Sequence, residues 1–259
     1  MIEHKFKKKF GQNFLQDENI IRKIANVATP TKEDLIIEIG PGSGALTKEL
    51  IKNSRVVAYE IDEELKEQLE NKFKDEDIEI IIDDFLKRNI KKDLEKYNYR
   101  DLYVIANLPY YITTPIINKI IEDKIDVRKM VLMVQKEVGE RFSATPGTKD
   151  YSSITVFLNY YFEIKKEFIV SKNAFYPKPN VDSIIISLNK KEGRKPKNEQ
   201  LFFQLVRDSF TQKRKTLKNN LNKYDFEKIE KLLIEKNLPI DIRAEKLTLD
   251  DFIDISDAL

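Results

Sequence analysis

A chain of 259 residues can bury a substantial core without covalent staples, and the absence of cysteine excludes both disulfides and thiolate metal sites. The single histidine, His4, lies beside the N-terminus, so histidine acid–base chemistry and a histidine metal site are not expected; no apolar run approaches a membrane span and no signal-peptide core precedes the charged N-terminus, so a soluble, cytoplasmic protein is expected. The formal net charge of +2 hides an uneven distribution: Lys190 to Lys223 carries eleven Lys/Arg against three Asp/Glu, Tyr224 to Leu259 carries five against ten, and Lys5, Lys7, Lys8 and Lys9 form a second basic cluster, a pattern suited to phosphate binding.

In chain order, Asp34 to Gly40 carries Leu35, Ile36, Ile37 and Ile39 and reads as a buried strand. A tight glycine turn, Gly40-Pro41-Gly42-Ser43-Gly44, leads into a predicted helix from Ala45 to Lys52. Arg55 to Glu60 is the second strand, and Asp62 is placed to cap a helix from Glu63 to Phe73. Ile78 to Ile82 is a third apolar run ending at Asp83-Asp84. Leu102 to Ala106 is the fourth strand, Thr113 or Thr114 with Pro115 opens the next helix, and Met130 to Val134 is the fifth strand. Ser153 to Tyr161 has helical spacing at Ile154, Phe157, Leu158 and Tyr161. Phe162 to Val170 and Val181 to Leu188 read as the last two strands, separated by a proline-stiffened loop, Asn173 to Pro179. Strands alternating with helices predict an α/β domain with parallel pairing and right-handed crossovers.

Glu192 to Lys197 is the best linker candidate, and beyond it the strand signal ends. Leu201, Leu205, Phe210, Leu217 and Leu221 suggest amphipathic helices, Phe226 to Lys236 another, and Thr248 with Asp251 a capping box for the last. The expected division is therefore a catalytic domain over residues 1–190 and a small helical domain over 191–259.

Three features carry chemistry. The turn at Gly40 fits both G-x-G-x-G and the dinucleotide pattern G-x-G-x-x-A, and Glu60, twenty residues on at the end of the second strand, suits a ribose diol. The pair supports an adenosine-containing cofactor without choosing between a nicotinamide dinucleotide and S-adenosylmethionine. Asp84, at the end of the third strand, could accept from an adenine amino group, with Asp83 as its competitor. Asn107-Leu108-Pro109-Tyr110 emerges from the fourth strand at the sheet edge where ligands bind in open α/β folds. It offers an amide oxygen, a carbonyl aimed by the following proline, and a ring for stacking, a set that can hold a planar amino group and its base. This set has no use in hydride transfer and tips the balance to methyl transfer.

Phe10-Gly11-Gln12-Asn13-Phe14-Leu15, Glu38-Ile39-Gly40-Pro41-Gly42, Asn107-Leu108-Pro109-Tyr110 and Phe175-Tyr176-Pro177-Lys178-Pro179-Asn180-Val181-Asp182-Ser183 together resemble the rRNA adenine dimethyltransferases, over about Lys8 to Leu221. Three stretches favour the KsgA/RsmA family, which modifies small-subunit rRNA, over the Erm group, which modifies large-subunit rRNA and gives macrolide resistance: Pro41 to Thr47, Gln135 to Arg141 followed by Pro146 to Tyr151, and Phe210 to Leu217. One departure is Tyr111, where asparagine is common.

The resemblance implies a Rossmann-like class I methyltransferase sheet, S-adenosyl-L-methionine as cofactor, and no metal. It implies cofactor contacts from Gln12, Asn13, Leu15, Gly40, Gly42, Glu60, Ile61, Asp84, Phe85 and Asn107, with Asn107, Leu108, Tyr110 and Phe175 handling the target adenine. The implied partner is 16S rRNA within the 30S subunit, met by a monomer, and the implied reaction is N6 dimethylation of two adjacent adenosines in the 3′-terminal hairpin. A non-catalytic ribosome-assembly or transcription factor on the same fold is a further alternative from a different class.

Overall fold

The computed structural model describes residues 14–107 and 112–259. They divide into two compact units, one holding the chain up to Gly139 together with Lys165–Asn189, the other Glu140–Ile164 together with Lys190–Leu259.

The first unit is built on a seven-stranded sheet. Its strands are β2 (Leu35–Ile39), β3 (Arg55–Glu60), β4 (Ile78–Ile82), β5 (Leu102–Asn107), β6 (Lys129–Gln135), β7 (Phe162–Val170) and β9 (Ser183–Lys190), in the order β4-β3-β2-β5-β6-β9-β7. The pairs β4–β3, β3–β2, β2–β5 and β5–β6 are parallel, and β9 returns antiparallel to β6. All five residues of β2 are buried, as are five of six in β5, which is why these segments read as unbroken apolar runs rather than alternating ones. The strand order reverses between β2 and β5, since β2 continues to β3 on one side while β5 lies on the other. That crevice is the topological switch point of the sheet.

Helix α1 (Glu18–Ala28) precedes the first predicted strand. Asp17 caps it, its carboxylate accepting from the Asn19 N–H at 2.9 Å and the Ile20 N–H at 3.2 Å, and Ile21, Ile24, Ala25 and Ala28 form its buried stripe. That stripe joins Ile36, Ala58, Ile105, Val131 and Ile185 in one core. A two-stranded ribbon, β1 (Phe14–Leu15) with β8 (Phe175–Tyr176), pairs Leu15 with Phe175 and adds both residues to the same core.

Several predicted boundaries shift. The helix expected over Ala45–Lys52 contracts to α2 (Thr47–Leu50), because the glycine turn extends through Gly44 at φ +74°. The helix expected from Glu63 opens as a 3-10 turn over Glu63–Leu65, capped by Asp62, and continues as α3 (Lys66–Lys72). Short α4 (Ile90–Leu94), α5 (Thr113–Glu122) and α6 (Lys136–Phe142) complete the series through residue 142. Strand β9 starts at Ser183 rather than Val181, since the Asp182 carboxylate turns away to accept from the Lys172 N–H at 2.9 Å.

The second unit is helical. It contains α7 (Ser153–Tyr161), α8 (Glu199–Ser209), α9 (Leu217–Asn220), α10 (Phe226–Glu235) and α11 (Leu249–Ala258), the last with the expected Thr248–Asp251 capping box. The single cut expected at residue 190 does not describe this packing. Val156 and Tyr160 of α7 are buried with Phe202, Leu205, Ile229, Leu233 and Phe252, and Tyr160, Tyr161, Phe202 and Phe203 interlock edge to face, so apolar contact draws residues 140–164 into the C-terminal unit. The expected linker is strapped down as well: Arg194 pairs with Asp254 and with Asp257 (3.2 Å), the Lys197 N–H donates to Asp257 at 2.7 Å, and the Lys195 ammonium lies 4.3 Å from the centre of the Tyr160 ring. Among the described residues no helix is long and apolar enough to cross a membrane.

Candidate active site

The register of the sheet gathers the site. Ile39 pairs with Tyr59 on one side and Ala106 on the other, so Gly40, Glu60 and Asn107 each stand one residue beyond a shared row at the C-terminal edge. Parallel neighbours lie about 4.8 Å apart, which puts the backbones of Glu60 and Asn107 roughly 10 Å apart across Gly40. Glu60 also pairs with Ile82, and the Asp83 N–H donates to the Glu60 carbonyl at 2.9 Å, so the turn carrying Asp84 starts from the same level.

Gly40, Gly42 and Gly44 all take left-handed backbone conformations, with φ of 73°, 55° and 74°. At Gly44 a Cβ atom would also stand 2.6 Å from the Phe73 ring. The Glu60 carboxylate holds this turn from below: one oxygen accepts from the Gly42 N–H at 3.0 Å, the other from the Asp62 N–H at 2.9 Å. Glu60 is only 3 % exposed, and burial raises its pKa, with the backbone donors of Asp62 and Gly42 partly offsetting that rise. An ionised carboxylate accepts about four hydrogen bonds, so these two leave lone pairs for a ribose diol. Ile61 beside it is 48 % exposed, an apolar surface at the edge next to the turn.

Asp83 and Asp84 make different contacts. Asp83 accepts from the Asp84 N–H at 2.7 Å and pairs with Arg88 at 3.3 Å. Asp84 accepts from the Leu86 N–H at 3.0 Å through one oxygen, while the other lies 3.7 Å from the exposed Lys87 ammonium. Arg88 also grips Asp93, which accepts from the Tyr59 hydroxyl at 3.2 Å, so the turn is fixed to β3. Phe85 is buried and meets Tyr59 edge to face, with ring centres 5.1 Å apart. Any ligand contact it makes is therefore through its main chain.

Asn107 ends β5 half-buried, in register with Met133. Leu108 and Tyr110 lie outside the described residues, as do Gln12 and Asn13. Leu15 is a core residue paired with Phe175, and the Gln16 N–H donates to the Ala174 carbonyl at 3.0 Å. Phe175, expected to handle the target adenine, is not an open stacking face. It is 5 % exposed and belongs to the core, whereas its neighbour Tyr176 is 55 % exposed, because successive side chains of a strand point to opposite faces.

One residue missing from the predicted set is Glu38. It is 1 % exposed, and its Oε2 has no hydrogen-bond partner among the described residues. Burial pushes its carboxyl up to about 8; Thr47 and the Lys72 ammonium offset part of this, and Glu60 adds to it. Lys72 in turn donates to the Ser43 carbonyl at 2.7 Å, over the glycine turn. The signal was present in the sequence as a lone acid inside an otherwise apolar strand.

A left-handed glycine turn, a buried acceptor at the end of the next strand, an exposed apolar residue and a further carboxylate on one edge fit the phosphate-free end of an adenosine cofactor. The profile of a family described as "Ribosomal RNA adenine dimethylase" matches residues 3–259. The chain belongs to that family. It is 45 % identical over 98 % of its length to the "Ribosomal RNA small subunit methyltransferase A" of Geobacillus sp. (strain WCH70), covering 91 % of that protein, and 45 % identical to the protein of the same name from Ligilactobacillus salivarius, with 98 % and 90 % covered. Among solved structures it resembles a dimethyladenosine transferase from Plasmodium falciparum (27 % identity, TM-score 0.77, 93 % of this chain and 95 % of that one) and the 23S rRNA methyltransferase ErmE (25 %, TM-score 0.76, 95 % and 99 %). This member of the family is accordingly a methyltransferase with a Rossmann-like class I sheet that uses S-adenosylmethionine, and the nicotinamide alternative falls away.

Proposed function

We propose that this chain dimethylates N6 of two adjacent adenosines in the 3′-terminal hairpin of 16S rRNA, within the small ribosomal subunit, as a cytoplasmic monomer contributing to ribosome biogenesis. The observation that supports the reading is the shared row of Glu60, Gly40 and Asn107 at the switch point, one strand spacing between each and the next. The names of the relatives at 45 % identity favour the small subunit over an Erm-like action on 23S rRNA.

S-adenosylmethionine supplies an electrophilic methyl group on a sulfonium, a good leaving group. The glycine turn and Glu60 seat the adenosine portion, Ile61 and the main chain at Phe85 border the adenine, and Asp84 accepts from its amino group. The resemblance assigns Gln12, Asn13 and Leu15 to the methionine end. The N6 lone pair of the target is delocalised into its ring and is a poor nucleophile. Accepting bonds from N6–H by the Asn107 side-chain oxygen and the Leu108 carbonyl favour a pyramidal nitrogen whose lone pair faces the methyl group. Tyr110 stacks on the base once it leaves its helix. Phe175, held in the core, supports the loop at the edge of this pocket. Positioning supplies most of the catalysis, and no general base is required, since the product cation sheds its proton afterwards.

The test is mass mapping of methylated nucleotides after incubation with unmodified small subunits. Two dimethylated adenosines in the terminal hairpin are expected; methylation of large-subunit rRNA instead would refute the assignment. Asn107→Ala should lower turnover by on the order of 10²-fold with the fold retained. Full activity in that variant would remove the proposed activation of nitrogen.

A further inference from the structure

The exposed ring of Tyr176 is not used by this chemistry, and its placement is specific. It ends β8, whose first residue, Phe175, is committed to the core by pairing with Leu15. The segment from Lys172 to Asp182 that carries Tyr176 is closed at Asp182. The Lys172 N–H donates to the Asp182 carboxylate at 2.9 Å, and the Lys136 N–H donates to the Asp182 carbonyl at 3.0 Å. This loop feeds β9, where Ser183 pairs with Gln135 and Ile185 with Met133, the partner of Asn107. The entrance to β9 therefore lies at the same sheet edge as Asn107, two residues beyond its row and two strand spacings away, roughly 12 Å. Val181, also exposed, and the exposed Lys178 stand on the same loop.

An aromatic face on a pinned loop, with a lysine two residues away, matches the pattern by which proteins hold unpaired nucleotides: the ring takes a base and the cation its phosphate. We infer that Tyr176 is a stacking platform for the unpaired base flanking the target adenosine, with Lys178 on the adjoining phosphate. The inference rests on the reading of the site as an RNA adenine pocket. When one base of an adjacent pair occupies the pocket, its neighbour loses a stacking partner, and a ring on the loop that enters the sheet at this edge replaces it.

The experiment compares Tyr176→Ala and Tyr176→Phe with the wild type on unmodified small subunits, measuring kcat and KM for the particle and, by calorimetry, Kd for S-adenosylmethionine. Alanine should raise KM roughly five- to hundredfold, the range set by losing one base–ring stack, with cofactor Kd and thermal midpoint unchanged. Phenylalanine should restore wild-type KM. A KM within twofold of wild type in the alanine variant overturns the inference, as does failure of phenylalanine to rescue, or a cofactor affinity that falls in parallel, which marks a structural role. Wild-type enzyme that methylates no small-subunit adenosine overturns the underlying reading too; wild-type activity with an indifferent Tyr176→Ala overturns this inference alone.

Discussion

Glu38 shows how one side chain ties the site to the protein's response to pH. Its carboxyl sits at about 8 in the fold because burial disfavours charge, against an ordinary value near 4.5 when the chain is unfolded. Between those values the folded state holds a proton that the unfolded chain releases, so this residue's contribution to stability is full at about pH 4 and drains away as pH rises towards 8. Glu38→Gln removes the titration. In denaturant unfolding, the wild type should lose stability relative to the variant between about pH 5 and pH 8 by on the order of 4 kcal/mol. A difference that stays flat across that range would mean that Glu38 is ionised in the fold. Glu60, also raised by burial, differs in having both oxygens on backbone donors, which is what an acceptor kept ready for hydroxyl groups requires.

At the scale of elements, close approach decides positions that propensity does not. Gly139 interrupts α6 with the poorest helix former after proline, and the reason is the sheet: a Cβ there would stand 2.3 Å from Cγ2 of Ile184 and 3.2 Å from Cγ2 of Val134. Gly139→Ala should therefore destabilise the protein by about 1–3 kcal/mol, despite alanine's better helix propensity, as an overpacking penalty. Urea unfolding measures this, and a stabilised variant would show that α6 can lift off β9. Ribbon β1–β8 is likewise an outcome of contact: two-residue strands 160 positions apart leave no periodicity to read, yet their pairing sends Phe175 into the core and Tyr176 outwards. Helix α1 is the opposite case: Asp17 and the Ile21–Ile24–Ala25–Ala28 spacing carry a local signal that the sequence reading, which begins at Asp34, passes over.

For the whole molecule, charge is segregated rather than abundant. Exposed Lys213, Arg214, Lys215 and Lys218 crowd the connection between α8 and α9, while Asp251, Asp254 and Asp257 of α11 are spent on Arg194 and Lys236 within the helical unit. Such a cluster binds phosphates by releasing counterions, so affinity for small-subunit rRNA should fall steeply with salt. Replacing Arg214 and Lys215 with glutamine should flatten the log–log salt slope by about 2, since each cation neutralises one phosphate, without altering cofactor affinity. Filter binding across a salt series gives the slope directly; an unchanged slope would place the RNA-binding surface elsewhere.

The amino-acid sequence by itself determined the strand–helix alternation, the glycine turn, the placing of Glu60 at the end of its strand and the Asn107 motif, because each is written in adjacent residues whose spacing or backbone demands are local. Tertiary structure alone decided which residues share an edge and which are hidden. The register of β3, β2 and β5 aligned Glu60, Gly40 and Asn107 across sixty-seven positions of chain, burial turned Glu38 into a proton-holding acid and took Phe175 out of solvent, and aromatic packing carried residues 140–164 into the helical unit. Those outcomes depend on interactions between distant segments, whose energies are set by what surrounds each side chain, not by where it lies in the chain.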